Sequence, residues 1–174
     1  SPVGLFKVDL LLNRSPDLAA SFGPSPTGDD RDLAIATGII APGYESYVKP
    51  GWIDILSGRP AQQPALWCVA ATELDRSLAP EGYHTLWLSQ FAPRALAGGQ
   101  SWSEIAEAVA MSAFHTYAAQ SGLREADIVD MVVTTPDEMA RLVHSVDPFG
   151  VGMSADQMLS FRPAPSLSQY RTPI

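Results

Sequence analysis

The amino-acid sequence predicts an α+β fold, in which a mainly antiparallel or mixed sheet is backed by helices. Short stretches with the two-residue apolar period of strands lie beside stretches that open with helix-capping signals. The two kinds follow one another without the regular strand–helix alternation of a parallel sheet. The chain has 174 residues, of which 46% are hydrophobic and 17% charged, so the sequence predicts one globular domain over residues 1–174.

The first predicted strand has the clearest period. Apolar side chains occupy alternate positions from Phe6 to Leu12, as in a strand with one buried face, and the turn residues at 13–16 end it. Residues 19–32 are rich in serine, proline, glycine and aspartate, so we expect a flexible loop there. The apolar stretch 33–40 predicts a second strand.

The middle of the chain predicts one helix and a pair of strands. Residues 44–56 space their apolar groups as a helix does, but Pro50-Gly51 falls in the middle and is expected to kink or split it. Residues 66–71 and 84–90 then read as two strands joined by a turn-rich connection.

Helix-capping signals mark three later helices. Ser101-Trp102-Ser103-Glu104 is a capping box, and the helix it opens is expected to close at Gly122. Its apolar stripe consists of Trp102, Ile105, Val109, Ala113 and Tyr117. After a predicted strand at 128–133, Thr135-Pro136-Asp137-Glu138 starts a second helix, and Ser154-Ala155-Asp156-Gln157 starts a short third one.

Composition and charge argue against several classes of function. The net charge is -8, and the 11 lysines and arginines are dispersed, so nucleic acid is not an expected partner. No apolar run reaches the roughly 20 residues of a membrane span, and no signal-peptide pattern opens the chain, so a cytoplasmic protein is expected. The single cysteine, Cys68, lies in an apolar run and reads as a buried, inert thiol. The three histidines lack metal-ligand spacing, so no metal site is predicted.

Four segments in order resemble one protein family. They are Pro80-Glu81-Gly82-Tyr83-His84 leading into a strand that ends Gln90-Phe91-Ala92-Pro93, the Trp102 helix after Gly98-Gly99, the Thr135-Pro136-Asp137 helix after a strand, and the tail from Met153 to Ile174 with Phe161-Arg162-Pro163 and Tyr170-Arg171-Thr172. Together they resemble the phytoene-desaturase-like FAD-dependent oxidoreductases, within the flavin amine-oxidase superfamily. The resemblance covers most of residues 60–174, and it extends weakly to 1–58 through the opening strand and Gly58-Arg59-Pro60.

The resemblance implies a substrate-binding domain, in which one face of a sheet forms the roof over the reactive ring of the flavin. In that family the tail is followed by a strand and a glycine-rich turn that touch the flavin. The chain ends first, and its amino end has no G-x-G-x-x-G turn. We therefore expect a fragment of a flavoprotein that partners a missing FAD-binding domain, binds no FAD alone, is inactive alone, and self-associates through an exposed apolar face. The alternatives are a free-standing binding or interaction module, and a subunit that completes a flavin site in a complex.

By the same resemblance, Arg162, Tyr170 and Arg171 are candidates for contact with the FAD, because a guanidinium suits delocalised anions. The structural alternative is that Arg162 caps a helix end or pairs with Asp156.

Trp52, Trp87 and Gln90 are the candidates for lining the substrate site. The alternatives are that both tryptophans are ordinary packing residues and that Gln90 is a rim residue. A hydrolase triad of Ser89, His84 and Asp75 can also be assembled, but the G-x-S-x-G elbow is missing.

Overall fold

One antiparallel sheet organises the molecule. The computed structural model describes residues 2–16, 37–41, 43, 45 and 49–143. The five strands within them are β1 (Val3–Leu12), β2 (Thr37–Ile40), β3 (Leu66–Val69), β4 (His84–Pro93) and β5 (Ile128–Thr134). Their order is β2-β3-β4-β1-β5, and all neighbours run antiparallel. The α-helices of the described part are α1 (Lys49–Leu56), α2 (Trp102–Ser121) and α3 (Pro136–Leu142). The predicted α+β class is confirmed.

The hydrophobic core lies between one face of the sheet and α2. Because side chains alternate across a strand, the even-numbered residues of β1 and β4 point to this face, which we call the core face. Val8 pairs with Leu88, and Leu88 pairs with Cys68 across the neighbouring ladder. Phe114 and Tyr117 of α2 are both 0% exposed against this layer. Burying a side chain the size of Phe114 contributes roughly 1.5–3 kcal/mol to the stability of the fold. The packing of α2 on the core face is therefore a large part of what stabilises the sheet.

The α2 helix begins and ends where its sequence signals predict. The Ser101 N–H donates to Glu104 Oε2 at 2.9 Å, and Gly122 ends the helix with a left-handed φ of 66°. Of the predicted stripe, Trp102, Ala113 and Tyr117 are buried, and the other two residues pack half-buried on the core. The stripe, the closing glycine and the Glu104 half of the capping box are confirmed, whereas the Ser101 hydroxyl pairs with the Ser103 hydroxyl at 2.7 Å.

Pro50 lies near the start of the described part of the helix predicted over 44–56. The α-helical part runs from Lys49, so Pro50 is in its first turn, and Glu45 upstream also has a helical backbone, of the π type. A proline there is tolerated because the first N–H groups of a helix have no partner inside it. Gly51 is buried in the same turn. The upstream part of the predicted helix, at 44 and 46–48, lies outside the described residues.

The remaining elements agree with their sequence signals. The strands β3 and β4 pair as predicted, and the connection between them turns at Gly82 with a φ of 82°. The β5 strand and the Thr135 cap of α3 are confirmed, as is the second strand over residues 37–40. The loop at 19–32 and the helix start at Ser154 lie outside the described residues. Among the described helices, none has the length and apolar character needed to cross a membrane.

A close approach at Gly4 seats α3 on the sheet. A Cβ added at Gly4 would lie 2.9 Å from Pro136 Cβ and 3.2 Å from Arg94 Cγ. Real Cβ atoms essentially never come within 3.0 Å of another atom, so glycine is what lets the first turn of α3 pack this closely on the end of β1.

Candidate functional site

The side of the sheet opposite the core face has a different character. We call it the second face, and its residues are Leu5, Lys7, Asp9 and Leu11 of β1, Trp67 and Val69 of β3, and Thr85, Trp87, Ser89 and Phe91 of β4, with their neighbours on β2 and β5. Nine of these ten side chains are only partly buried, and Ser89 is 4% exposed. The helix α1 packs against one end of this face, where Trp52 meets Phe91.

Three aromatic rings form a cluster at the α1 end of the second face. The ring centroids of Trp52 and Phe91 are 5.2 Å apart, and those of Phe91 and Trp67 are 4.9 Å apart in an edge-to-face arrangement. Such pairs add about 0.5–1.5 kcal/mol beyond their buried area. Ile55 of α1 is 1% exposed beneath them. The cluster therefore forms an apolar platform.

An ion pair lies in the middle of the second face. Lys7 Nζ donates to both oxygens of Asp9, at 2.7 and 2.9 Å, because residues two apart on a strand point to the same side. The same nitrogen lies 5.6 Å from the centre of the Trp87 ring, within the range of a cation–π contact. The two side chains are 30% and 43% exposed, so the pair contributes at most about 1 kcal/mol to stability.

The structure separates the predicted substrate-site residues. Trp87 lies on the second face, and Trp52 lies on the same side of the sheet, carried by α1. Gln90 lies on the core face instead, 3% exposed, where it pairs with Phe6 across the β1–β4 ladder. Positions 87 and 90 are an odd number apart, so one strand sends them to opposite faces.

Sequence reasoning missed Lys7, Asp9, Trp67 and Phe91 as members of this face. The alternation that places Trp87 also places Ser89 and Phe91, so part of the signal was present. The pairing of β1 with β4 supplies the rest. The predicted flavin contacts Arg162, Tyr170 and Arg171 lie outside the described residues.

The starts of α2 and α3 already carry a carboxylate. Glu104 accepts the Ser101 N–H, and Glu138 accepts the Thr135 N–H, each at 2.9 Å. Hydrogen bonds from the Thr135 backbone and then from its hydroxyl lower the pKa of Glu138, so this carboxylate is charged at neutral pH. A dinucleotide pyrophosphate binds at a helix start whose N–H groups are open to it. These two starts therefore do not suit a pyrophosphate.

The hydrolase alternative fails on geometry. Ser89 points to the second face and His84 to the core side of β4, so the two cannot share a proton. Asp75 accepts from the Ser77 hydroxyl at 2.6 Å and from its backbone N–H at 2.9 Å, and these bonds lower the pKa of Asp75.

The thiol and the acidic groups of the described residues show no reactive or metal-binding arrangement. Burial raises the pKa of Cys68 to about 12, which agrees with the predicted inert thiol. In the part of the chain that the structure describes, no three His, Cys, Asp or Glu side chains cluster as metal ligands would.

A cleft of about 640 Å³ lies at the end of β4, between α1 and the start of α2. Its lining includes Leu56, Leu96 and Trp102, with Arg94 as its cation. Arg94 Nη2 already lies 3.8 Å from a carboxylate oxygen of Asp137. The lining contains none of the strand residues of the second face, and Ile55 of α1 borders both features.

Comparison with known proteins relates the chain to oxidoreductases. No protein-family model matches it. Over 173 residues, 97% of the chain, it is 27% identical to the rat protein "Pyridine nucleotide-disulfide oxidoreductase domain-containing protein 2". Over 125 residues, 70% of the chain, it is 31% identical to the mouse protein of the same name. The chain spans 29% and 22% of the lengths of these relatives. These similarities support a relationship to oxidoreductases of that general kind, without reaching the narrower phytoene-desaturase-like group.

Proposed function

We propose that this chain is the substrate-binding part of a larger FAD-dependent oxidoreductase of the phytoene-desaturase-like kind. In this proposal, the second face lies over the flavin ring and the substrate. The observation that carries it is the difference between the two faces of the sheet. The core face is filled by α2, whereas the second face presents a cluster of partly buried aromatic rings and, apart from it, one ion pair beside the Trp87 ring. Partly exposed aromatic clusters are typical of surfaces that bind a ligand or a partner.

The roles of the residues follow from their chemistry. Bound FAD would supply the acceptor of a hydride from the substrate. The rings of Trp52, Trp67 and Phe91 would pack along an apolar substrate and keep water away from it. Trp87 would hold the side chain of Lys7 in place between its own ring and Asp9.

Most of the contacts that bind the FAD would come from the rest of the larger protein. The capped starts of α2 and α3 do not suit the pyrophosphate, and the net charge of -8 disfavours a dianion at long range. Arg162, Tyr170 and Arg171 remain the proposed contacts from this chain. The relatives are more than three times as long as the matched chain, which leaves ample length for an FAD-binding domain.

The experiment compares the chain alone with the chain joined to the FAD-binding part of its longer protein. The chain alone is expected to be colourless, to gain no heat stability from added FAD, and to have no turnover. The joined form is expected to hold flavin. Stoichiometric yellow flavin on the chain alone would contradict the proposal. A joined form that stays colourless would favour a free-standing binding module instead.

Two variants of the joined form test the second face itself. Trp87→Ala is expected to keep the flavin and to slow its reduction by substrate at least tenfold, since it removes a side chain from the face. Leu78→Ala is the control, because Leu78 is 55% exposed in the turn between β3 and β4. Equal rates in the two variants would count against this use of the face.

The isolated chain is also proposed to self-associate through the second face. Ile39 and Val132 lie at its two margins and are 59% and 58% exposed. Ile39 pairs with Trp67 and Val132 pairs with Asp9, so these two side chains widen the exposed apolar area on either side of the face. Size-exclusion chromatography with light scattering is expected to show a dimer or larger species as concentration rises. A clean monomer at high concentration would refute this.

A further inference from the structure

The ammonium group of Lys7 on the second face has one N–H donor that its ion pair with Asp9 does not use. A lysine ammonium has three N–H donors. Two of those on Lys7 go to the two oxygens of Asp9, and the third has no acceptor among the described residues. The Trp87 ring covers one side of the nitrogen, so the chain itself restricts where this donor can reach.

A cover over this face would change the energetics of the pair. In water the third N–H is hydrated at no cost. A substrate or a flavin domain placed over the face removes that water, and a buried charge with an unused donor is then strongly unfavourable. A pure hydrocarbon offers no acceptor. An oxygen atom on the ligand would satisfy the donor and offset the loss of hydration.

We infer that the substrate of the second face is an apolar molecule that carries a carbonyl or hydroxyl oxygen, and that Lys7 binds this oxygen. The inference rests on the proposed function and deepens it by naming the class of substrate. Lys7 is then a residue that determines specificity. Its aspartate partner holds the ammonium in place and leaves the pair neutral, so a neutral oxygenated ligand suits it without a net negative charge.

The pairing of β1 with β4 limits the size of the ligand. Lys7 pairs with Ser89, so Phe91, the member of the aromatic cluster on β4, is its diagonal neighbour on the adjacent strand. Diagonal neighbours on antiparallel strands lie roughly 7–8 Å apart. A ligand whose oxygen lies beside an aromatic ring therefore reaches from Lys7 to Phe91.

The binding experiment uses two molecules of nearly equal size and shape. Propiophenone carries a ketone oxygen, and propylbenzene is its matched hydrocarbon. The chain contains two lysines, Lys7 and Lys49, so ¹³C labelling of the lysine Cε gives two signals. We expect propiophenone to shift the Lys7 signal saturably, to leave the Lys49 signal unchanged, and to bind at least about tenfold tighter than propylbenzene, as a hydrogen bond to a charged donor allows.

Three variants assign the preference to the Lys7 donor. Lys7→Met removes the donor and is expected to equalise the two affinities. Lys7→Arg keeps a cationic donor and should retain the preference. Lys49→Met is the matched control, because Lys49 is exposed at the start of α1.

The inference is overturned if propylbenzene binds as tightly as propiophenone, if the preference survives in Lys7→Met, or if neither probe shifts the Lys7 signal in the chain or in the joined flavoprotein. Should Lys7→Met fail to fold, the Lys7 signal of the unmodified chain still decides. These readouts need no flavin. A failure here is therefore distinguishable from a failure of the FAD proposal, which is read from flavin content and reduction.

Discussion

The substitution Gln90→Met tests whether this glutamine is a structural residue or a substrate contact. Gln90 is 3% exposed on the core face, and its Oε1 has no hydrogen-bond partner among the described residues. Its neighbours across the two ladders are apolar, since Phe6 lies on one side and Leu66 follows from the register on the other. Methionine has nearly the same length and shape, so it replaces the amide without leaving a cavity.

The expected magnitude follows from the cost of the unpaired amide oxygen of Gln90. A buried polar group without a partner costs about 1–3 kcal/mol, so Gln90→Met should raise the free energy of unfolding by about that amount. For a protein of this size each kcal/mol corresponds to roughly 2–4 °C in Tm. A gain near the top of the range would mean that the amide is dry. A gain near the bottom would mean that a water molecule partly satisfies it.

The assay is urea unfolding, read as a higher midpoint at an unchanged slope. Gln63→Met is the control, because Gln63 is exposed and its replacement should stay within about 0.5 kcal/mol. In the joined flavoprotein, Gln90→Met should also leave reduction by substrate intact. A lower midpoint, or a loss of substrate-dependent reduction, would refute the structural assignment and return Gln90 to the substrate site.

Three further predictions concern the fold. Gly58→Ala should lower the free energy of unfolding more than Gly82→Ala does. Both glycines have a positive φ, 77° and 82°, but only at Gly58 does the new Cβ meet backbone, 2.9 Å from Ala97 N. Equal unfolding midpoints for the two variants would contradict this. Because the folded pKa of Glu138 is lowered, its contribution is present above its unfolded pKa of about 4.3 and is lost as pH falls through the lower folded value. Glu138→Gln should therefore weaken the acid dependence of the unfolding free energy, and an unchanged profile would show the reasoning wrong. Cys68, with its pKa near 12, should react with a thiol reagent only at the rate of unfolding, so fast labelling of the native chain would refute its burial.

Local signals in the sequence determined the elements of this fold. Alternation between Phe6 and Leu12 predicted β1, and the Ser101 and Thr135 boxes predicted the starts of α2 and α3, because capping and strand period depend on residues within a few positions of one another. Pro50 shows the limit of such signals. A proline acts as a helix breaker or as a first-turn residue according to where the α-helical turns begin, and only the structure places the first α-helical turn at Lys49.

The candidate site was decided by tertiary structure. Lys7 and Trp87 are 80 positions apart in the chain, and they meet because β1 and β4 pair in a register that sets Asp9 opposite Trp87. A shift of that register by one residue would send Lys7 to the core face, so no pattern within either strand could specify the contact. Register depends on how the whole apolar set of both strands fits under α2. The sequence therefore determined which segments form strands and helices, and the packing of α2 on the sheet decided which side chains share the second face.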